Sequence, residues 1–305
     1  MAVTKLSTSG LISFARYNTL LAGNVVYTPF FSVDYLVIAG AGAGGNSSSN
    51  SAGGGGAGGY RTSAGTSGGG ASAESALSLA VSTDYTVTIG AGGSVGSKSD
   101  ASRGGNGSNS VFATITSSGG GGGGCQTDLP NGSAGGSGGG GSYNLGAGGN
   151  GETGQGYSAG DVTGPGGNAS ATGGGGAGGT SLDVTQSGEQ ASDGGSSLNS
   201  SITGTSVARA GGGGADGYTE GSSGGGGGGG GAGVAGTVNT GSGGGGGATG
   251  GVNRTGQSGG SGIVILKYPD TRTITLGAGL TSSTATAGGF KVTTFTAGTD
   301  NISFA

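Results

Sequence analysis

Residues 35–45 read YLVIAGAGAGG, and the fold is decided where this apolar run changes into a glycine run. From this point the sequence alternates between short strand-like runs and glycine. A second run, residues 263–268 (IVILKY), is apolar enough to be buried on both faces of a sheet. We expect it to pair with Tyr35–Ala39. Strands that flank the glycine-rich part of the chain would then close into one sheet or sandwich.

Further strands are predicted where apolar residues recur between glycines. In Tyr85–Ile89, threonine alternates with larger apolar residues, which favours a strand with one buried face. The other predicted strands are 77–81 and 111–115 and, in a small C-terminal β-module, 273–276, 290–296 and 302–304.

The composition is far from that of an ordinary globular domain. Of 305 residues 89 are glycine, 8% are charged and 5% are aromatic, and the formal net charge is −4. Such a glycine content is typical of disordered, low-complexity chains. However, the low charge gives little self-repulsion, and apolar patches recur with strand-like spacing. We therefore expect an ordered chain.

The glycine runs predict an unusual kind of order. A glycine run gains nothing from side-chain burial, so backbone hydrogen bonds must offset its entropy cost. The polyproline-II helix has about three residues per turn and no internal hydrogen bonds, so parallel helices can bond on every side. We expect a bundle of short polyglycine-II helices joined by polar turns. The longest runs are 119–124, 138–141, 173–176, 211–214, 224–231 and 243–247.

The predicted fold class is therefore all-β, with short strands flanking a polyglycine-II bundle. Residues 1–33 contain few glycines and several large side chains. We interpret them as an anchoring or oligomerisation module and leave its secondary structure undecided. The other divisions are a strand region at 34–117, the glycine bundle at 118–261, and the closing strand with the C-terminal module at 262–305.

Few residues could carry chemistry. The chain has no histidine and a single cysteine, Cys125, so Ser-His-Asp and Cys-His arrangements and multi-cysteine metal sites are excluded. Gly40–Gly45 matches the dinucleotide fingerprint formally, but a serine-rich segment follows it instead of a helix. We predict no enzyme activity, no cofactor and no metal. Calcium at one loop stays an alternative, with isolated acids at Asp161, Asp183, Asp193, Asp216 and Glu220.

The chain shows no targeting or nucleic-acid signal. Residues 1–10 lack the basic and apolar parts of a secretory signal, and no stretch approaches the roughly 18 apolar residues of a membrane span. The ten Lys and Arg residues are scattered singly. We expect synthesis in a cytoplasm, no membrane insertion and no nucleic-acid partner.

The strand and glycine segments together resemble the glycine-rich domain of bacteriophage tail-fibre and virion structural proteins, above all those of marine and cyanobacterial phages. The resemblance covers about residues 34–268. The glycine runs are also similar to those of the distal adhesins of T-even-like phages, in which polyglycine helices present variable loops to host receptors. The segments that carry the resemblance are 34–40, 58–63, 85–93, 107–112 and 259–268.

This resemblance implies a virion protein of a tail fibre or fibre tip, made in the host, with other virion proteins and a host receptor as partners. The receptor would be a glycan or an outer-membrane protein. A passive capsid or tail decoration protein and an ice-binding polyglycine-helix protein are the alternatives, although the regular triplets and disulfides of the latter are missing. Apolar residues at both ends of the chain also predict a homo-oligomer, expected to be a trimer.

Receptor contact is predicted on the turns between glycine helices, because a rigid framework lets its loops vary. The large side chains of the glycine-rich part lie in these turns. Tyrosine combines contact area with a polar end, which suits binding; the alternative is that these residues cap the bundle. The candidate residues are Leu129, Tyr143, Leu145, Tyr157 and Tyr218.

Overall fold

The fold is all-β, as the sequence predicted. The computed structural model describes residues 20–21, 24–25, 29–48, 51–97, 101–126, 129–143, 145–163, 170–185, 191–217, 221–248 and 253–305. Within these ranges the only helical element is one 3₁₀ turn, Gly68–Gly70.

Most strands are short, and the two longest lie near the C-terminus. In chain order they are β1 (Leu20–Leu21), β2 (Asn24–Val25), β3 (Phe30–Ile38), β4 (Tyr60–Thr62), β5 (Leu77–Ala80), β6 (Tyr85–Thr88), β7 (Ser110–Phe112), β8 (Ile115–Ser117), β9 (Leu198–Ser200), β10 (Val207–Arg209), β11 (Ile263–Pro269), β12 (Ile274–Leu276), β13 (Leu280–Ala287) and β14 (Phe290–Phe304).

One ten-stranded sheet organises the molecule. Its main path runs β4-β3-β11-β14-β6-β7-β8, with β5, β12 and β13 attached to its sides. β3 and β11 are antiparallel neighbours, with Ile263 opposite Ile38 and Lys267 opposite Asp34. The predicted pairing of 35–39 with 263–268 is confirmed. Chain segments far apart in sequence thus close into one sheet around the glycine-rich part.

Both faces of the central strands are buried. Val264, Leu266 and Tyr268 of β11 enter one apolar core. Ile263 and Ile265 enter a second core on the opposite face. Because successive side chains of a strand point to opposite faces, a nearly continuous apolar run is what a strand buried on both sides requires.

The C-terminal strands belong to this same sheet. β14 has 15 residues, and its first half pairs with β11 and β13 while its second half pairs with β6 and β12. We predicted two strands, 290–296 and 302–304, and this was wrong. The register with β13 shifts between Thr281 and Ser282, and Gly298 has φ +101°, so the strand continues through a bulge.

The predicted strand at 111–115 was also wrong. It is two strands, β7 and β8, joined by a tight turn at Ala113 and Thr114. Ala113 has φ +52°, a left-handed conformation that a residue with a Cβ rarely adopts. No glycine marks this turn, so no residue type indicated it in advance.

The two ends of the sheet approach each other. Arg61 of β4 donates from Nη1 to the Thr116 carbonyl of β8 at 3.1 Å. The Ser117 hydroxyl of β8 donates to the Val37 carbonyl of β3 at 2.8 Å. The sheet is therefore nearly closed, and the first core lies inside it.

The predicted N-terminal module lies mostly outside the described residues. β1 and β2 form an antiparallel pair, with Leu20 opposite Val25. Phe30 and Phe31, assigned to the module by sequence, are in β3 and pair with β5. Phe31 packs in the first core, with its ring centroid 5.0 Å from that of Phe304.

We call residues 39–59, 89–109, 118–197 and 210–262 the glycine region. Its described segments are extended, and each bonds to several others. The amides of Ala39, Gly42 and Gly45 donate to residues 59, 56 and 53. The amides of Gly40 and Ala43 donate to residues 108 and 105, and those of Ala41 and Gly44 to residues 260 and 257. In this segment every third amide therefore donates to the same neighbouring segment, and residues 39–45 have neighbours on three sides.

Glycine is required because these backbones touch. A Cβ at Gly42 would lie 2.0 Å from the Gly121 carbonyl oxygen, and one at Gly55 would lie 2.1 Å from that of Gly42. Real Cβ contacts are never this short. Side chains are therefore excluded from the interior for steric reasons, apart from the alanines and small polar residues at less crowded positions.

We had expected the run 224–231 to form one straight segment, but it does not. It turns at Gly226–Gly228, where all three residues have positive φ. A Cβ at Gly224 would meet the Gly229 carbonyl oxygen at 2.0 Å, so the two halves of the run lie side by side. The longest straight glycine segments are consequently shorter than the sequence suggested.

Polar side chains close the outer edges of the glycine region. The Asn106 and Asn109 side-chain oxygens accept from the Gly122 and Gly119 amides, each at 2.9 Å. Asp161 accepts from Gly148 at 2.8 Å, and Asp193 accepts from Ser223 at 2.7 Å. Edge amides that have no neighbouring backbone thus donate to a side-chain oxygen.

Candidate functional site

The glycine segments turn back at an end remote from the sheet, which we call the loop end. Its described residues are joined by β-bridges between Asn46 and Gly247, between Ala52 and both Cys125 and Asp216, and between Ser142 and Ala171. The loop end comprises 46–48, 51–52, 96–97, 101–102, 125–126, 129–130, 142–143, 145–146, 170–171, 191–192, 216–217, 221, 247–248 and 253–254.

Asp216 belongs to this end, and its side chain is completely buried. Its Oδ1 accepts from Arg254 Nη1 at 2.8 Å, and its Oδ2 accepts from the Ala248 amide at 2.9 Å. Burial raises the pKa of Asp216, although both hydrogen bonds act in the opposite direction. The sequence had marked this acid as isolated, which was wrong because its partner lies 38 residues downstream.

Asn46 ties three further segments together. Its amide donates to the Ser102 carbonyl at 2.9 Å, and its side-chain nitrogen donates to the Gly96 carbonyl at 3.1 Å. Its side-chain oxygen accepts from the Gly256 amide at 3.3 Å. Asn46 and Asp216 are the polar residues that organise the loop end, and the sequence pattern singled out neither for this role.

The structure brings three of the predicted binding residues together. Leu129 and Leu145 are 42% and 61% exposed, and Tyr143 is partly buried. Their segments meet where the Ser142 amide donates to the Pro130 carbonyl at 2.7 Å. Tyr143 and Leu145 have φ values of +52° and +60°. Non-glycine residues held in this region are strained, and such strain clusters at ligand-binding sites.

The other two predicted residues are not part of this group. Tyr157 lies near the sheet, because its hydroxyl sits over Gly70 and the nearby Gln155 carbonyl accepts from the Tyr60 amide at 2.9 Å. Tyr218 lies outside the described residues. The prediction of receptor contact stays untested for all five residues, but the structure separates Tyr157 from Leu129, Tyr143 and Leu145.

The motifs that suggested chemistry are built into the framework. Gly40–Gly45 is buried among other glycine segments, and a Cβ at Gly40 would lie 2.0 Å from the Ala91 carbonyl oxygen. Cys125 is buried, and its thiol donates to the Ala101 carbonyl at 2.7 Å. In the described part of the chain, no group of three or more His, Cys, Asp or Glu side chains could hold a metal ion.

The described residues contain no helix with the length and apolar character needed to cross a bilayer. What they do contain is a glycine-rich β-framework whose polar turns gather at one end. This defines the class of protein as a glycine-rich β-protein. The sequence model of the glycine-rich domain family matches residues 20–269, and the chain belongs to this family. No curated protein and no solved structure matches the chain.

Proposed function

We propose that this chain is a bacteriophage virion structural protein, part of a tail fibre or fibre tip, that binds the host cell surface through its loop end. The observation that carries the proposal is the convergence of many turns on one end of a densely hydrogen-bonded framework. Membership of the glycine-rich domain family and the resemblance to phage fibre proteins support it.

A framework of this kind suits a receptor-binding role. Loops held by a rigid scaffold can change sequence without disturbing the interior, which is where binding residues are commonly found. Here the interior is held by backbone atoms, so loop substitutions leave its contacts unchanged. A pre-organised site also loses less entropy when it binds.

We further propose that the glycine segments are polyglycine-II helices. The period of three in their hydrogen bonds, from Ala39 to Gly45 and again from Gly53 to Gly56, supports this geometry. The Gly53 and Gly56 amides both donate into 118–125, at 2.9 and 2.8 Å, while Gly54 and Gly55 donate to Thr172 and Gly244.

Leu129, Tyr143 and Leu145 are the described side chains that we assign to receptor contact, with Tyr218 as a further candidate by sequence. Leu129 and Leu145 place apolar surface in water, and Tyr143 adds an aromatic ring with a polar end. This combination suits a sugar or a protein loop. We assign Tyr157 to packing, since it lies near the sheet.

The test compares Tyr143→Ala with Tyr157→Ala as a matched tyrosine control. Purified protein is used to compete with virions for adsorption to host cells. We expect Tyr143→Ala to reduce competition at least tenfold with little change in melting temperature, and Tyr157→Ala to lower the melting temperature while competition persists. Undiminished competition by Tyr143→Ala would contradict the assigned site. If wild-type protein never competes, a passive decoration protein is the better interpretation.

The proposed assembly is a homotrimer held through the two ends of the chain. Light scattering at micromolar concentration measures this directly. A monomer with both ends intact would contradict it.

A further inference from the structure

A buried arginine in the β9–β10 hairpin has no acidic partner among the described residues. Arg209 pairs in register with Leu198, and only 8% of it is exposed. Its Nη1 is buried and has no hydrogen-bond partner among the described residues. Burial lowers the pKa of Arg209, and Tyr60 is the only titratable group in the described part of the chain that acts on it. A guanidinium nevertheless stays protonated in proteins.

Tyr60 of β4 faces the same region from the main sheet. Its side chain is completely buried in the second core, with Ile202 and Ala210 of the hairpin region. Its hydroxyl has no partner with good hydrogen-bond geometry in the described structure, although the Ser200 side chain of β9 lies close enough to act on it. A charged donor without a described partner and a weakly engaged hydroxyl are therefore buried where the hairpin packs on the sheet.

Among the described residues, no carboxylate acts on Arg209. Arg209 instead lies under the turn Gly226–Gly228, since a Cβ at Gly227 would be 2.9 Å from the Arg209 amide nitrogen.

We propose that Arg209 and Tyr60 bind one small monovalent anion, chloride or a carboxylate group, between the β9–β10 hairpin and β4. An anion satisfies both donors and also compensates the buried charge. A water molecule could accept a hydrogen bond but would leave the charge uncompensated, and buried unpaired charges are strongly destabilising. The anion would stabilise the packing of the hairpin on the sheet by binding only the folded state.

The test measures the melting temperature while chloride, or in a second arm acetate, replaces a bulky sulfonate at constant ionic strength. We expect a saturable rise of roughly 4 °C for wild-type protein at saturation. Arg209→Met should lose this rise. Arg272→Met, which removes a positive charge that lies over Phe31, should keep it. A rise with chloride alone would identify a solution ion, and a rise with acetate as well would identify a carboxylate-accepting site.

Tyr60→Phe tests the second donor, because it removes the hydroxyl and keeps the ring in the core. We expect the anion concentration at half-maximal stabilisation to rise about fivefold or more. Should Arg209→Met fail to fold, a crystal of the wild-type protein grown in bromide provides the measurement. An anomalous peak beside Arg209 Nη1 supports the proposal. Absence of that peak, or equal anion effects in wild type and Arg209→Met, would overturn it in favour of a buried water.

Discussion

At the scale of single residues, the glycine region depends on the absence of a Cβ atom from its glycines. Gly174 is buried, and a Cβ there would lie 2.1 Å from the Gly55 carbonyl oxygen and 2.3 Å from the Gly55 carbonyl carbon. Backbone atoms cannot rotate away as a side chain can. Glycine in this region is therefore a packing residue, comparable to a large apolar residue in an ordinary core.

Substitution of Gly174 should be much more costly than substitution of a less crowded glycine. Gly174→Ala should lower the free energy of unfolding by more than about 2 kcal/mol, because segments must separate to admit the methyl group. Gly231 is the control, since its nearest contact would be 3.1 Å and its φ is not positive. Gly231→Ala should change the free energy by less than about 1 kcal/mol in either direction. Urea unfolding measures both, and equal effects would show that the interior is not close-packed.

Two acids, the partly buried Glu74 and the fully buried Asp216, should respond to pH in opposite ways. Glu74 accepts from Arg61 Nε and Nη2, each at 2.7 Å, and from the Tyr35 hydroxyl at 2.8 Å. Burial alone would raise the pKa of Glu74, but these hydrogen bonds lower it overall. The same hydrogen bond to Glu74 adds to burial in raising the pKa of Tyr35. Asp216 differs, because burial dominates and its pKa is raised.

The signs follow from linkage between protonation and folding. Glu74 contributes stability above its unfolded pKa of about 4.3, and this is lost as pH falls through its lowered folded pKa. Asp216 contributes stability below about 3.9, and this is lost as pH rises through its raised folded pKa. Urea unfolding from about pH 3 to pH 7 should show the advantage of wild type over Glu74→Gln growing with pH. The stability advantage of wild type over Asp216→Asn should shrink as pH rises. If both advantages changed with pH in the same direction, the environment assigned to Glu74 or to Asp216 would be wrong.

At the scale of elements, β3 and β11 join the sheet to the glycine region. Ile265 of β11 is completely buried in the second core, opposite Leu36 of β3. Ile265→Ala should lower the free energy of unfolding by about 2–5 kcal/mol, from lost burial and the cavity left behind. Thr286→Ala on exposed β13 should change it by less than about 0.5 kcal/mol. Comparable losses by thermal or urea unfolding would show that β11 is not the central strand.

The sequence predicted the strands whose burial pattern is simple. Continuous apolar runs predicted the β3–β11 pair, and alternation with threonine predicted β6, whose Val87 faces the first core. The turn at Ala113 was missed because it is formed without glycine. The bulge within β14 was missed because it depends on pairing with strands far away in the sequence. β13 was missed because its sequence, LTSSTATA, has almost no large apolar residue and lies mostly exposed.

The candidate site was predictable in kind but not in detail. That turns between rigid segments gather at one end follows from their short, similar lengths. Which side chains meet there does not, because the Asp216–Arg254 pair and the Asn46 contacts join segments far apart in sequence. Tyr143 and Tyr157 look alike by sequence, and only the path of the glycine segments separates them.

At the scale of the whole molecule, the ten-stranded sheet and the glycine region both stabilise the fold. The sheet buries the large side chains in two cores, and the glycine region is held by hydrogen bonds among backbones. Use of the loop end as a binding surface requires that the glycine segments keep their positions when the loops vary.

Amide hydrogen exchange of the glycine segments measures this order most directly. Protection depends on opening of the hydrogen-bonded framework, so it separates a structured glycine region from a flexible one. The amides of Gly53–Gly56 donate to the carbonyls of residues 124, 172, 244 and 121. We expect them to exchange as slowly as the amides of β3 and β11. Exchange at the rate of an unstructured peptide, with β3 and β11 still protected, would show that the sheet folds without an ordered glycine framework.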